Sequence, residues 1–132
     1  MSLCLVTPLL ALALATDTFT LAWTHSVEKT EWREDWRVQG ASLVLEEARV
    51  QGSGAGMEPP EGAVRRDGAW VWRPGLTVPV LHLAVSGATV SGWRLCTPAG
   101  GCAELERLLG TSGRLPAWIE IRPGPQRCRP PG

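Results

Sequence analysis

Apolar and polar residues alternate over several short segments of the chain, which is the pattern of strands with one buried face. The segments lie at 18–27, 31–38, 42–50, 69–73, 77–85, 92–96 and 117–122, with glycine and proline residues between them. Short runs at this spacing predict a mostly β fold, an antiparallel β-sandwich or partly closed barrel. One short helix is expected at 103–109, where Leu105, Leu108 and Leu109 fall on one face.

The segments 18–27 and 31–38 show the clearest alternation. One face of the first holds Phe19, Leu21, Trp23, His25 and Val27, and one face of the second holds Trp32, Glu34, Trp36 and Val38. Because a slip of one residue would expose an entire row, odd positions must lie opposite even positions. The shortest loop, 28–31, then pairs Val27 with Trp32, His25 with Glu34, Trp23 with Trp36 and Leu21 with Val38.

His25 and Glu34 would form a histidine–carboxylate pair within a tryptophan-rich face. Apolar burial raises the pKa of a lone Glu and lowers that of a His, whereas proximity favours the ionised pair, so we expect coupled titration. Such a pair is either a buried contact that determines register or the polar part of a small-ligand pocket. Ser26 points to the opposite face from His25, so their adjacency does not indicate a hydrolase.

Three other features carry weaker signals. The glycine-rich segment 52–56 is typical of a tight turn or bulge, although its backbone N–H groups are a hypothetical anion site; Pro59 and Pro60 disfavour the helix that follows a dinucleotide-binding loop. The seven tryptophans indicate core packing or a stacking groove for a sugar or another flat ligand. His82 is expected to face away from Leu81 and Leu83, as a solvent or core histidine.

The apolar run at 3–15 allows two interpretations. It ends in alternating small residues, as a signal peptide does, and it is too short for a membrane span, which needs about 20 apolar residues. Alternatively, 3–6 and 10–15 are the first strands of the domain. No Lys or Arg precedes the run, and cleavage would discard Cys4, so we expect one β domain at 1–122 and a proline-rich tail at 123–132.

The four cysteines predict two disulfides. Cys96 and Cys102 flank the loop 97–101 of an expected hairpin, which brings them within bridging distance. Cys128 is then left to pair with Cys4. Disulfides are typical of proteins outside the cytosol.

Composition excludes some partners. The 13 basic and 13 acidic residues balance, so the chain lacks the strong positive field that nucleic acids and anionic membranes attract. No metal site or other cofactor is predicted, because beyond His25, Glu34 and His82 no donors have the spacing of ligands.

The segment 19–28, read with Glu34 and the glycine run 52–56, resembles the bacterial family known as domain of unknown function 1850. The resemblance implies that 3–15 belongs to the domain. It also implies an extracytoplasmic, periplasmic accessory role, because members are often encoded beside tripartite transporters that have a separate solute-binding subunit. The motif positions it marks as candidate ligand-binding residues are His25, Ser26, Glu28, Glu34, Gly54 and Gly56.

Three hypotheses follow for function. The first is a non-enzymatic protein that binds a small solute or a transporter subunit through the hairpin and the glycine loop. The second is a hydrolase-type enzyme with Glu34 as base beside His25, which predicts a bell-shaped pH profile. The third is a structural interaction module, which predicts an exposed apolar patch.

Overall fold

The computed structural model describes residues 2–24, 30–51, 61–84, 93–110, 118–124 and 128–129, which form twelve strands and one short helix. In chain order these are β1 (Ser2–Val6), β2 (Ala11–Leu14), β3 (Thr18–Thr24), β4 (Glu31–Gln39), β5 (Ser42–Gln51), β6 (Val64–Arg66), β7 (Ala69–Trp72), β8 (Leu76–Val78), β9 (Leu81–Ala84), β10 (Arg94–Thr97), β11 (Gly101–Glu104), α1 (Leu105–Leu108) and β12 (Trp118–Gly124). The fold is mostly β with one short helix, as predicted.

The strands form two antiparallel sheets. The larger sheet has the order β11-β10-β3-β4-β5-β7-β6, and β8 pairs with β5 beyond the end of β7. The smaller sheet has the order β2-β1-β12-β9. Because apolar side chains of both sheets join one core, the arrangement is a β-sandwich, which confirms the predicted fold class.

The core lies between the sheets and is closed by α1. Its buried side chains are Leu3, Leu5, Phe19, Leu21, Trp36, Val38, Leu43, Leu45, Leu83, Leu95, Leu105, Leu109, Ile119 and Ile121. These residues follow the strand alternation: along β12, Ile119 and Ile121 are fully buried, while Trp118, Glu120 and Arg122 are half-buried. Each such Leu or Ile contributes about 1.5–3 kcal/mol of burial free energy.

Both predicted disulfides are present. Cys96 and Cys102 lie directly opposite each other on β10 and β11. Cys4 of β1 is bonded to Cys128, with 5.3 Å between their Cα atoms. The apolar segment near the start of the chain supplies β1 and β2, which pair with each other, and β1 also pairs with β12.

For the β3–β4 hairpin, the predicted alternation of odd and even partners is confirmed, but the predicted register is wrong. Odd positions of β3 do lie opposite even positions of β4. The structure pairs Trp23 with Trp32 and Leu21 with Glu34. Each residue of β4 therefore pairs with a β3 residue that lies four positions earlier in the chain than predicted. The predicted pairing of His25 with Glu34 is therefore wrong, and His25 itself lies outside the described residues.

Ring packing accompanies the observed register. Trp23 and Trp32 stack with centroids 6.0 Å apart and planes at 13°, and Phe19 and Trp36 stack at 6.4 Å and 7°. Aromatic cross-strand pairs contribute about 0.2–1 kcal/mol each relative to alanine pairs. The predicted and the observed register both place the apolar side chains of the two strands on one face, so the alternation of residues does not distinguish between them.

Several predicted boundaries also change. The single strand expected at 77–85 is two strands, β8 in the larger sheet and β9 in the smaller one, because the chain breaks at Pro79, which has no N–H to donate to a ladder. The helix begins at Leu105, since 103–104 pair within β11. β12 extends to Gly124, into the segment predicted as tail. The short strand β6, exposed throughout, was not predicted.

Candidate functional site

Five tryptophans and one carboxylate lie on the inner face of the larger sheet. We call this group the tryptophan surface, and its members are Trp23, Trp32, Trp70, Trp72, Trp93 and Glu34. All six side chains are half-buried. They continue the core face of the sheet toward the ends of its strands.

Strand pairing accounts for the shared face of these residues. In one row Trp23 pairs with Trp32, Trp32 with Val50 and Val50 with Trp70. Directly opposite residues in an antiparallel sheet project to the same side, so the row is continuous over four strands. The predicted common face of Trp70 and Trp72 is confirmed, because they alternate with the buried Ala69 and Val71.

The adjacent row places Glu34 among apolar neighbours. Leu21 pairs with Glu34, Glu34 with Ala48 and Ala48 with Trp72. Leu21 is fully buried in the core, which identifies this side of the sheet as the inner one. The sequence-based placement of Glu34 on the apolar face of its strand is thus correct.

Burial raises the pKa of Glu34 above its ordinary value, and a hydrogen bond from a neighbouring indole partly opposes this shift. The Nε1–H of Trp36 donates to Oε1 of Glu34 over 3.2 Å. Within the described ranges, no Arg or Lys lies within ion-pair distance of this carboxylate. Glu34 can therefore accept hydrogen bonds from a ligand, and it can donate one when it is protonated.

Two indole N–H groups of the tryptophan surface have unused hydrogen-bonding capacity. Nε1 of Trp32 and Nε1 of Trp93 are buried, and in the part of the chain that the structure describes neither has a partner. Trp93 packs against Trp23 with centroids 4.6 Å apart and planes at 49°. Because a buried donor normally has a partner, each of these N–H groups requires an explanation.

One of the predicted ligand-binding residues lies on this surface. His25, Ser26, Glu28, Gly54 and Gly56 lie outside the described residues, and Glu34 is the member of the set that is described. His82 is at the solvent side, with its side chain 76% exposed and Nδ1 3.9 Å from Oε2 of Glu120. The count of seven tryptophans in the sequence indicated either core packing or a stacking groove. The unpartnered indole N–H groups had no signal in the sequence, because they depend on which residues surround each ring in the fold.

Other cavities lie away from the tryptophan surface. One of about 670 Å³ is lined by Arg94, Cys102, Ala103, Glu104, Glu106, Arg107 and Gly110, at the β11–α1 edge of the larger sheet. It is open and largely charged, so its volume does not identify it as a small-ligand site, which is usually apolar with a few polar groups. A smaller cavity of about 130 Å³ lies on the outer face of the sheet.

The described residues contain no cluster of three or more His, Cys, Asp or Glu side chains suited to a metal ion. None of the helical structure in those residues has the length and apolar character that crossing a bilayer requires.

Comparison with known proteins identifies a family. The family model described as domain of unknown function (DUF1850) matches residues 19–105, which is 87 of the 132 residues. No curated protein and no solved structure matches the chain significantly. The matched segment runs from β3 to the start of α1 and so includes most of the larger sheet and the whole tryptophan surface. The chain therefore belongs to the DUF1850 family, whose function is unknown.

Proposed function

We propose that this chain is a non-enzymatic binding protein that holds a small polyhydroxylated solute, such as a sugar, on the tryptophan surface. The observation that carries the proposal is the pair of buried, unpartnered indole N–H groups of Trp32 and Trp93 on the same face as Glu34. A ligand with hydroxyl groups supplies both kinds of partner. Its oxygens accept from the indoles once the side chains that cover these N–H groups move aside, and its O–H groups donate to the carboxylate.

The energetics favour a ligand that satisfies the donors. An unsatisfied buried donor costs about 1–3 kcal/mol of free energy. A ligand that accepts from both N–H groups removes this cost twice, which favours its binding. The half-buried indole rings offer flat apolar area against which the C–H face of a sugar ring packs. A few polar groups in an aromatic lining is the ordinary composition of a small-molecule site.

An organic cation is the competing ligand class for an aromatic surface with a carboxylate. A quaternary ammonium would attract the Glu34 carboxylate and the indole faces. It has no acceptor atom, however, so it would leave the N–H groups of Trp32 and Trp93 unsatisfied. We therefore favour the polyhydroxylated solute.

We place this binding outside the cytosol, as an accessory step in solute transport. The two disulfides support an oxidising compartment. The link to a transporter rests on the resemblance to the DUF1850 family, whose members are often encoded beside tripartite periplasmic transporters. A transporter subunit is then the expected protein partner.

Titration of the intact, disulfide-bonded protein with sugars, followed by intrinsic tryptophan fluorescence and calorimetry, tests the proposal. The panel contains several hexoses and pentoses, with choline as the cationic alternative. Trp32→Phe keeps an aromatic ring and removes the N–H donor, so we expect it to weaken sugar binding by about 5–10-fold, the loss of one hydrogen bond of about 1–1.5 kcal/mol.

Trp118→Phe is the matched control. Trp118 lies on β12 in alternation with the buried Ile119, so it is on the outer side of the smaller sheet, and its substitution should leave sugar binding unchanged. Absence of sugar binding, preference for choline, or equal effects of the two substitutions would contradict the proposal.

A further inference from the structure

The outer face of the larger sheet carries a compact cavity that is separate from the tryptophan surface. Its volume is about 130 Å³, and it lies between the middle strands and the β6–β7 hairpin. Its lining residues are Glu31, Arg33, Arg49, Gln51, Arg66, Asp67, Ala69 and Val71. We propose that this cavity binds a small oxyanion through the guanidinium groups of Arg33, Arg49 and Arg66.

Strand pairing brings the three arginines to one face. Arg33 of β4 lies directly opposite Arg49 of β5, and Arg49 lies opposite Val71 of β7. Arg66 of β6 is paired with Ala69, the neighbour of Val71 on the same face. Like charges directly opposite each other on a sheet are destabilising unless opposite charge compensates them.

The available carboxylates compensate these charges unequally. Arg49 has Asp35 at 3.5 Å and Glu47 at 3.6 Å. Arg33 shares Glu31, at 3.8 Å, with Arg94, which is closer to that carboxylate at 3.1 Å. Among the described residues, no carboxylate lies within ion-pair distance of Arg66. Asp35 and Glu47 thus compensate Arg49, whereas Arg33 has only a shared carboxylate and Arg66 has none within ion-pair distance in the described residues.

Arg33 also has an unused donor. Its Nε is buried and has no hydrogen-bond partner in the described ranges. A guanidinium presents several N–H donors in one plane, a geometry that matches carboxylate and phosphate oxygens. An anion in the cavity would accept a hydrogen bond from this N–H group, and it would supply a negative charge beside the guanidinium of Arg66.

The size of the cavity limits the ligand. At about 30 Å³ per water molecule, the cavity holds roughly four waters. Phosphate, sulfate or a single carboxylate group fits such a volume. Ala69 and Val71 form its apolar part, so the small side chain of Ala69 leaves room for the ion.

Calorimetric titration of the full chain tests this site, with phosphate and acetate as separate probes at ionic strength matched with sodium chloride. We expect at least one of these anions to bind with a Kd on the order of 1 mM. Arg66 is exposed, so Arg66→Gln should fold normally, which its melting temperature checks. The variant should bind the anion at least about fivefold more weakly, because it loses a charge-assisted hydrogen bond.

Arg65→Gln is the matched control, because it removes the same charge from the neighbouring position. Arg65 pairs with Trp70, and its guanidinium lies 5.2 Å from the centre of that ring, on the opposite face of the sheet. Its substitution should change anion binding by less than about twofold. If neither anion binds at about 20 mM, or if both variants weaken binding equally, the cavity is not an anion site.

Discussion

Glu34 is a carboxylate in a row of apolar side chains, flanked across the strands by Leu21 and Ala48. The hydrogen bond from Trp36 Nε1 satisfies one of its oxygens, and burial disfavours its charge. Such a group costs stability when it is ionised. Its position on the inner face fits the binding role that we propose for the tryptophan surface.

The pH dependence of stability should reveal this cost. Because the pKa of Glu34 is raised in the folded protein, the folded state holds its proton more tightly than the unfolded state does. The resulting stabilisation is complete below the unfolded pKa of about 4.3 and is lost as pH rises through the folded pKa. Glu34→Gln stays neutral, so its stability relative to the natural protein should increase from pH 4 to pH 7, as measured by urea unfolding at each pH.

Glu104→Gln serves as the control for net charge, since it removes an exposed carboxylate from β11. A difference between Glu34→Gln and the natural protein that stays constant with pH, or that falls as pH rises, would contradict the assignment. A fall would mean that the carboxylate is stabilised as an anion in the fold.

At the scale of single elements, the β6–β7 hairpin positions Arg66 beside the outer cavity. Its two-residue loop consists of Asp67 and Gly68, with φ of 52° and 78°, between the paired residues Arg66 and Ala69. Positive φ at both positions is the requirement of a type I′ turn, for which Asp-Gly is a favoured sequence. Turn chemistry therefore determines which outer-face residues meet.

Gly68→Ala should destabilise the protein by about 1 kcal/mol, because a side chain at positive φ strains the backbone. A Cβ at this position would meet nothing within 4 Å, so the cost comes from the backbone and not from a clash. Asp67→Asn is the control, since Asn tolerates the same conformation. Chemical denaturation measures both; equal stability of Gly68→Ala and the natural protein would contradict the turn geometry.

The β3–β4 hairpin shows how far pattern reasoning reaches for an element. Alternation correctly placed Trp23, Trp32 and Glu34 on one face. It did not give the offset, because shifting one strand by two residues preserves which side chains face inward. Assuming the shortest loop led to the wrong partner for Glu34.

For the whole molecule, two disulfides close loops of very different length. The Cys4–Cys128 bridge spans 124 positions and joins the first strand to the end of the described chain, whereas Cys96–Cys102 spans 6 within one hairpin. Cross-linking distant positions restricts the unfolded chain more. The long bridge also holds β1, which lies beside β12 in the smaller sheet.

Replacing Cys4 and Cys128 by Ala should therefore destabilise the protein more than replacing Cys96 and Cys102. Loop-closure entropy gives about 5 kcal/mol for the first pair and about 2 kcal/mol for the second. Since domains of this size have a total stability of about 5–15 kcal/mol, the first double variant should be marginally folded. Urea unfolding of both variants measures the difference, and equal losses would contradict the entropic explanation.

The sequence by itself determined the local features: which side of each main strand faces inward, where most strands break, the class of fold and the pairing of the cysteines. These follow from a period of two residues, from turn chemistry and from an even count of thiols. Tertiary structure alone decided the register of β3 on β4 and the assignment of 76–78 and 81–84 to different sheets. It also assembled the tryptophan surface and the arginine cavity, because each joins residues from several strands whose contacts depend on long-range packing that no single segment encodes.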